Sequence, residues 1–182
     1  AVIANRIRDI RLTFKSLVSL TLKTIGGSVS GRQREEQTVM TDLHLNEDCI
    51  FCKIIRGEIP SFKLYENDLT YAFMDINPLN DGHALIIPKY HAENIYATPD
   101  EWFGPTMSTV RRIASAVNKV VRPEGINLLQ ANGPGAKQSV FHLHMHVIPR
   151  YADDGAGMNW EMKHGDMDAI GELAEQIVAA IE

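Results

Sequence analysis

Three histidines alternate with apolar residues in one short stretch of the chain. Residues 138–150 read Gln-Ser-Val-Phe-His-Leu-His-Met-His-Val-Ile-Pro-Arg. Because successive side chains of a strand point to opposite faces, His142, His144 and His146 would share one face, and the residues between them would enter the core. Imidazole can act as nucleophile, proton carrier or metal ligand near neutral pH. The stretch therefore predicts a metal site or a nucleophilic centre, against the plainer alternative of a solvated, histidine-rich edge. Pro149 has no N–H and is expected to end the strand.

A second pair of reactive side chains stands earlier in the chain. Cys49 and Cys52 form a C-x-x-C pair and are the two cysteines of the sequence. Two cysteines are too few for a disulfide framework, and their spacing is typical of metal binding or of a redox pair in a reducing compartment.

The elements that must position these residues follow from periodicity and turn signals. A short helix at 52–55 is stopped by glycine, and strands at 62–66 and 69–75 form a hairpin around Asn67-Asp68. Further strands are predicted at 83–88 and 126–131 and along the histidine stretch. Thr98, Pro99 and Glu101 form a capping box that predicts the start of a long helix ending near Val121. A last helix is predicted over 168–181. Strands grouped around one long helix favour an α+β fold with an antiparallel five-stranded sheet, one long central helix and a C-terminal helix.

Charge divides the chain into an extension and a body. Residues 1–34 hold seven Lys/Arg and one acid, whereas the whole chain of 182 residues has a formal charge of −5. We expect residues 1–40 to be a flexible basic extension upstream of the domain at 41–182. A transit peptide and a surface-binding arm are the alternatives, so organelle targeting stays open beside a cytoplasmic location. The acidic balance argues against a general nucleic-acid binder, and no apolar run is long enough for a membrane span.

Several ordered motifs carry a resemblance to a known family. His142-Leu-His-Met-His-Val-Ile matches the motif of the histidine triad (HIT) family, and Gln138-Ser139-Val140 matches the approach to that motif. The segment from Cys49 to Pro60 resembles the opening of the nucleotide-binding, Hint-like branch of the family. Ala72-Phe-Met-Asp-Ile-Asn-Pro resembles its ribose-binding strand end, and Ile87-Pro-Lys-Tyr-His the segment with a further histidine. The likeness covers about residues 46–150.

The resemblance implies a nucleotide hydrolase or transferase that cleaves the α-phosphate bond of nucleoside 5′-phosphoramidates. His144 would attack phosphorus and form a nucleotidyl-histidine, a covalent route that divides one displacement into two. His146 would stabilise the phosphate oxygens, although a purely orienting role is the alternative. Gln138 and Ser139 would donate hydrogen bonds to the phosphate or the leaving group.

The same resemblance implies the nucleotide contacts. Asp75 would accept hydrogen bonds from the ribose hydroxyls of an AMP-like purine nucleotide, or else cap the turn before Asn77-Pro78. Ile76 and Phe73 would hold the base, and Asn132 would lie near the phosphate unless it only forms an Asn-Gly turn.

A structural zinc ion and a homodimer are the remaining implications of the resemblance. Zinc-binding relatives suggest a closed Cys2His2 site made by Cys49, Cys52, His91 and His142, with a redox dithiol or two buried thiols as alternatives. If zinc is bound, His142 leaves the catalytic group. His44 and His164 are expected at the surface, and His83 has no assigned role.

Other activities stay open from the sequence. They are a dinucleoside polyphosphate hydrolase, a nucleotide-binding regulatory module with little turnover, and a redox or zinc-sensing protein. Lys137 stands where the family commonly has glycine, which leaves the choice of leaving group open.

Overall fold

Five antiparallel strands form one sheet in the order β1-β2-β3-β5-β4. The computed structural model describes residues 44–157 and 164–181, so the expectations for residues 1–40 lie outside the described residues. The strands and helices in chain order are α1 (Ile50–Ile55), β1 (Lys63–Glu66), β2 (Thr70–Met74), β3 (Ala84–Pro88), α2 (Phe103–Val121), β4 (Gly125–Leu129), β5 (Met145–Arg150) and α3 (Met167–Ala179). The predicted α+β class, the five strands and the long helix are confirmed.

The long helix α2 covers one face of the sheet. Its residues Val110, Ile113 and Val117 recur at helical spacing and pack on strand residues that alternate toward them, namely Ala72, Ala84, Ile86 and Val147. Burial of each large aliphatic side chain contributes about 1.5–3 kcal/mol. This layer is the main hydrophobic core.

The short helix α1 covers part of the opposite face. Phe51 and Ile54 of α1 pack on Tyr71, Phe73, Leu85 and Ile87, the residues of β2 and β3 that alternate away from α2. His146 of β5 lies directly opposite Leu85 of β3. Since residues directly opposite in antiparallel strands share a face, His146 lies on the α1 face.

Two sequence predictions about element ends are wrong. The Thr98 hydroxyl donates to the Asn94 carbonyl at 2.8 Å and caps no helix; a 3-10 turn at Asp100–Trp102 precedes α2. Pro149 does not end the histidine strand but pairs with Ile126 inside it. The Pro149 carbonyl accepts from the Asn80 side chain and so points away from β4. Because the nitrogen and the carbonyl of one strand residue point to the same side, the Pro149 nitrogen also points away from β4. Its missing N–H therefore costs the pairing with β4 no hydrogen bond.

The C-terminal helix α3 begins where Asp166 caps the backbone N–H groups of Asp168 and Ala169. Its apolar side chains stay 50% or more exposed at Ile170, Leu173 and Ile177. None of the helices within residues 44–157 and 164–181 has the length and apolar character needed to cross a bilayer.

Candidate active site

The three histidines lie on a segment that bends at residues 140–142 and then continues into β5, so the strand is shorter than the sequence predicted. His142 and His144 precede the strand and are 0% and 2% exposed, whereas His146 lies within it and is partly exposed. Leu143 and Val147 are buried, in agreement with the predicted alternation. Each imidazole has different hydrogen-bond partners, so the three rings are chemically distinct.

The His142 ring is turned toward the cysteines. Its Nε2 donates to the Pro88 carbonyl at 3.0 Å, which leaves the lone pair on Nδ1. That Nδ1 lies 3.6 Å from Cys49 Sγ and 3.5 Å from Cys52 Sγ. A metal-binding histidine usually donates its other ring N–H to an acceptor, and His142 meets this condition.

Cys49, Cys52, His91 and His142 form a candidate metal site, since each places one ligand atom within 4.8 Å of the others. The His91 and His142 Nδ1 atoms are 3.3 Å apart, and Cys52 Sγ lies 3.5 Å from His91 Nδ1. A tetrahedral ion with metal–sulfur bonds of about 2.3 Å and metal–nitrogen bonds of about 2.0–2.1 Å needs separations of about 3.6 Å and about 3.3 Å. The four side chains therefore fit such an ion.

Burial shapes the protonation of this cluster. It raises the pKa of the Cys52 thiol to about 11 and lowers the pKa of His142 to about 4. A divalent cation among these donors would favour the thiolate, because the thiolate is the ligand form. Cys52 is thus a poor nucleophile in the absence of a metal ion.

His144 has the geometry of a nucleophile. Its Nδ1 donates to the His142 carbonyl at 2.7 Å, so its lone pair is on Nε2. The Phe51 ring packs edge-on against the imidazole with centroids 5.3 Å apart. Burial lowers the pKa of His144, which keeps the imidazole neutral and therefore nucleophilic near neutral pH.

His146 is held by His83, a histidine with no role assigned from the sequence. The Leu79 backbone N–H donates to His83 Nδ1 at 3.1 Å, which leaves the proton of neutral His83 on Nε2. His83 Nε2 lies 2.9 Å from His146 Nδ1 and donates to it. The remaining proton of His146 is then on Nε2. Burial lowers the pKa of His146 to about 4, so this ring is a neutral hydrogen-bond donor.

A cavity brings most of the predicted residues together. His144, His146, Ser139 and Asp75 contribute polar groups to its wall. The rest of the wall is mostly apolar and includes Ile50, Phe51, Ile54, Ile59, Phe73, Ile76 and Leu85. A mostly apolar cleft with a few convergent polar groups is the usual form of a small-molecule site.

Asp75 can serve both functions proposed for it. Its Oδ1 accepts from the Asn77 backbone N–H at 2.8 Å, as a turn-capping aspartate would. Its Oδ2 lies 3.6 Å from His83 Nε2 and stands at the cavity wall. Ile76, predicted to hold a base, is 77% exposed at the cavity margin.

Gln138 and Asn132 lie outside the cavity lining. Both hydrogens of the Gln138 amide are taken by the Glu93 and Val140 carbonyls, and its oxygen accepts from Gly133. Gln138 therefore holds the loop before the histidine segment, and the predicted donation to substrate would break these bonds. Asn132 likewise bonds the Ile95 N–H and the Gln130 side chain.

Two features of the site were not predicted from the sequence: the role of His83 and the contact of Phe51 with the imidazoles. A histidine at the start of an apolar strand was a signal for His83. It could not be used without knowing that β3 pairs with β5.

Comparison with known proteins shows the family of the chain. The family model described as HIT domain matches residues 56–153. An adenosine 5′-monophosphoramidase of Saccharomyces cerevisiae is 44% identical over 140 residues, covering 76% of this chain and 85% of that protein. The chain belongs to the HIT family.

Solved structures of HIT proteins share the fold. A crystal structure of a HIT family protein from Bacillus subtilis superposes with a TM-score of 0.71 and 42% identity, over 75% of this chain and 99% of that one. A zinc-bound histidine triad family protein from Mycobacterium smegmatis has a TM-score of 0.58 and 32% identity, over 74% and 98% of the two chains.

Proposed function

We propose that the protein hydrolyses nucleoside 5′-phosphoramidates through a nucleotidyl-histidine on His144. The observation that carries the proposal is the hydrogen bond from His144 Nδ1 to the His142 carbonyl, which leaves the Nε2 lone pair of a buried, neutral imidazole at a cavity. A neutral nitrogen can attack phosphorus without first losing a proton. The phosphoramidase named among the relatives supports this choice of bond.

Two displacements complete the reaction. His144 Nε2 forms a bond to the α-phosphorus as the phosphorus–nitrogen bond breaks, and the amine leaves with an added proton. Ser139, exposed at the cavity wall, is the side chain we assign to donate toward the leaving nitrogen. Water then attacks the phosphorus as the bond to His144 breaks. One proton of this water replaces the proton that Ser139 gave to the amine, and the nucleoside monophosphate and free His144 are released. In both steps, the His146 Nε2–H stabilises charge on the non-bridging oxygens.

The polar and apolar parts of the cavity wall suggest one orientation for the nucleotide. Its phosphate belongs at His144 and His146, and its base belongs against the apolar wall that includes Phe51, Phe73 and Ile76. Asp75 would accept hydrogen bonds from both ribose hydroxyls, which selects ribonucleotides. An AMP-like purine nucleotide is the ligand that we propose.

We assign a structural zinc ion to Cys49, Cys52, His91 and His142. The separations of their ligand atoms fit a tetrahedral site with no open position. When bound, the ion supplies a cross-link between α1 and the histidine segment. The four side chains would hold it, and His142 would then take no part in proton transfer.

A homodimer is the assembly that we propose. β4 is an edge strand of the sheet, and its Leu128 and Leu129 are 48% and 46% exposed. Met107 and Val120 of α2 are also exposed. Pairing of two copies along this edge would satisfy its free backbone groups and cover the leucines.

The test is a substrate panel with wild type and His144→Ala. We expect turnover of adenosine 5′-phosphoramidate by wild type, its loss in His144→Ala, and AMP binding by both proteins in calorimetry. Equal rates for the two proteins would refute the nucleophile. Faster turnover of diadenosine polyphosphates would favour the polyphosphate hydrolase, and tight AMP binding without turnover of any compound would favour a regulatory module.

A further inference from the structure

A second group of metal-ligand residue types lies at the catalytic cavity. Asp75, His83 and His146 each place one ligand atom within 4.8 Å of the others. His83 Nε2 is 2.9 Å from His146 Nδ1 and 3.6 Å from Asp75 Oδ2. Two imidazoles and a carboxylate are a donor set that divalent transition metals accept. By residue type alone, this group would take a metal ion in the place where a nucleotide should bind.

The hydrogen bond from the Leu79 backbone opposes such an ion. It occupies the lone pair of His83 Nδ1, so the single proton of neutral His83 sits on the Nε2 that would have to bind the metal. Moving the proton to Nδ1 would bring it against the Leu79 N–H. In the cysteine cluster the opposite holds, because the second nitrogen of His142 donates to the Pro88 carbonyl. One cluster therefore meets the usual condition for a metal-binding histidine, and the other does not.

The position of the Leu79 amide depends on its neighbour, Asn80. The Asn80 side-chain amide donates to the Pro149 carbonyl at 2.8 Å and to Asp154 Oδ2 at 2.9 Å. The Asn80 carbonyl accepts from the His83 backbone N–H at 3.1 Å. Asn80 thus fastens the loop between β2 and β3 to β5, the strand that carries His146.

The far end of this attachment is itself restrained. The Arg150 guanidinium bonds both oxygens of the Asp154 carboxylate, at 2.6 and 3.0 Å. Arg150 also reaches Asn127 of β4 at 3.0 Å, a contact that does not touch the loop. Asn80 is therefore the residue that connects this restraint to Leu79. Asn127 is a matched control, because it contacts the same arginine without contacting the loop.

We propose that Asn80 is a positioning residue that fixes the proton direction of the His83–His146 pair and thereby closes the Asp75–His83–His146 cluster to divalent transition metals. With the loop fastened, the Leu79 N–H holds His83, the His83 Nε2–H holds His146, and the His146 Nε2–H remains for an anion. The use of that last proton on a phosphate rests on the proposed function. The exclusion of metal does not.

The experiment compares Asn80→Ala with wild type and with Asn127→Ala as a matched control. Zn²⁺ is titrated calorimetrically into the full chain whose cysteine cluster is already loaded with Zn²⁺. The ¹⁵N shifts of the histidine rings report the tautomers in parallel. In Asn80→Ala we expect a second Zn²⁺ to bind about 10–100-fold tighter than any second ion in wild type. We also expect the ¹⁵N shifts of the His146 ring to be averaged between its two tautomers. In Asn127→Ala we expect the wild-type results.

The double variant Asn80→Ala/His83→Ala should lose the second ion, which places it at the cluster. The proposal would be overturned if Asn80→Ala showed the same ¹⁵N shifts and the same Zn²⁺ binding as wild type. It would also be overturned if wild type bound a second Zn²⁺ that His83→Ala did not bind. If Asn80→Ala fails to fold, Asn80→Ser replaces it, because the serine hydroxyl is too short to reach both acceptors. Neither readout needs turnover, so an inactive wild type would refute the phosphoramidase and leave this result standing.

Discussion

Gly82→Ala should destabilise the protein strongly, because Gly82 has no room for a side chain. Its φ is +90°, a conformation that L-residues rarely adopt. A Cβ built there would lie 2.7 Å from Val121 Cγ2 and 3.2 Å from Pro149 Cγ. The residue thus lies where the end of α2 meets β5, directly before His83.

Two costs add up in this variant. The backbone conformation should cost about 1–2 kcal/mol for a residue with a Cβ, and the forced contact with Val121 about 1–3 kcal/mol more. The sum, about 2–5 kcal/mol, is a large share of the roughly 5–15 kcal/mol that stabilises a typical domain. Gly57→Ala separates the two costs, since Gly57 has a φ of +76° and no atom within 4 Å of the added Cβ.

Urea unfolding followed by circular dichroism measures both variants against wild type. We expect a lower midpoint with an unchanged slope in each, and a larger loss of unfolding free energy in Gly82→Ala. Equal losses in the two variants would refute the contact with Val121 as the cause. A folded Gly82→Ala should also turn over phosphoramidates more slowly, because its strain is next to His83.

Three further predictions concern the site and its approach loop. Ser139→Ala should slow substrates with an amine leaving group about 100-fold and those with an acidic phenol leaving group much less, as measured by kcat/KM. Equal slowing would exclude proton donation by Ser139. Lys137→Gly should raise the unfolding free energy by about 1 kcal/mol in urea, because Lys137 has a φ of 58°; an unchanged midpoint would contradict this. Burial lowers the pKa of His146 from 6.5 to about 4, so the unfolded chain binds more protons between these values. The contribution of His146 to the unfolding free energy should therefore be complete above pH 6.5 and be lost as the pH drops toward 4. Thermal melts should show a smaller loss of stability over this range in His146→Asn than in wild type.

Local patterns in the sequence predict much of this fold. The alternation around His144 and the helical spacing of Val110 and Val117 each depend on neighbours in the chain, and both are found in the structure. The start of α2 could not be predicted in the same way. As a helix cap, the Thr98 hydroxyl oxygen would accept from a backbone N–H of the first turn. In the structure the hydroxyl instead donates to the Asn94 carbonyl, four residues earlier in the chain.

The candidate site was harder to predict where it depends on distant pairing. Spacing suggested Cys49 as a ligand, and the family resemblance suggested His142; the structure brings the two together across most of the domain. His83 and Gln138 show the limit. The role of His83 depends on a 2.9 Å contact between this residue, which directly precedes β3, and His146 of β5. The role of Gln138 depends on loop carbonyls that no sequence pattern marks.

The contact between His142 and His144 has a consequence for redesign of this protein. The group that orients His144, the proposed nucleophile, is the peptide carbonyl of residue 142, whereas the group that faces the cysteines is the His142 side chain. The two tasks are therefore separable. A designer could replace the whole cysteine–histidine cluster with well-packed apolar residues and keep the proposed chemistry, provided that the backbone conformation at residue 142 is preserved.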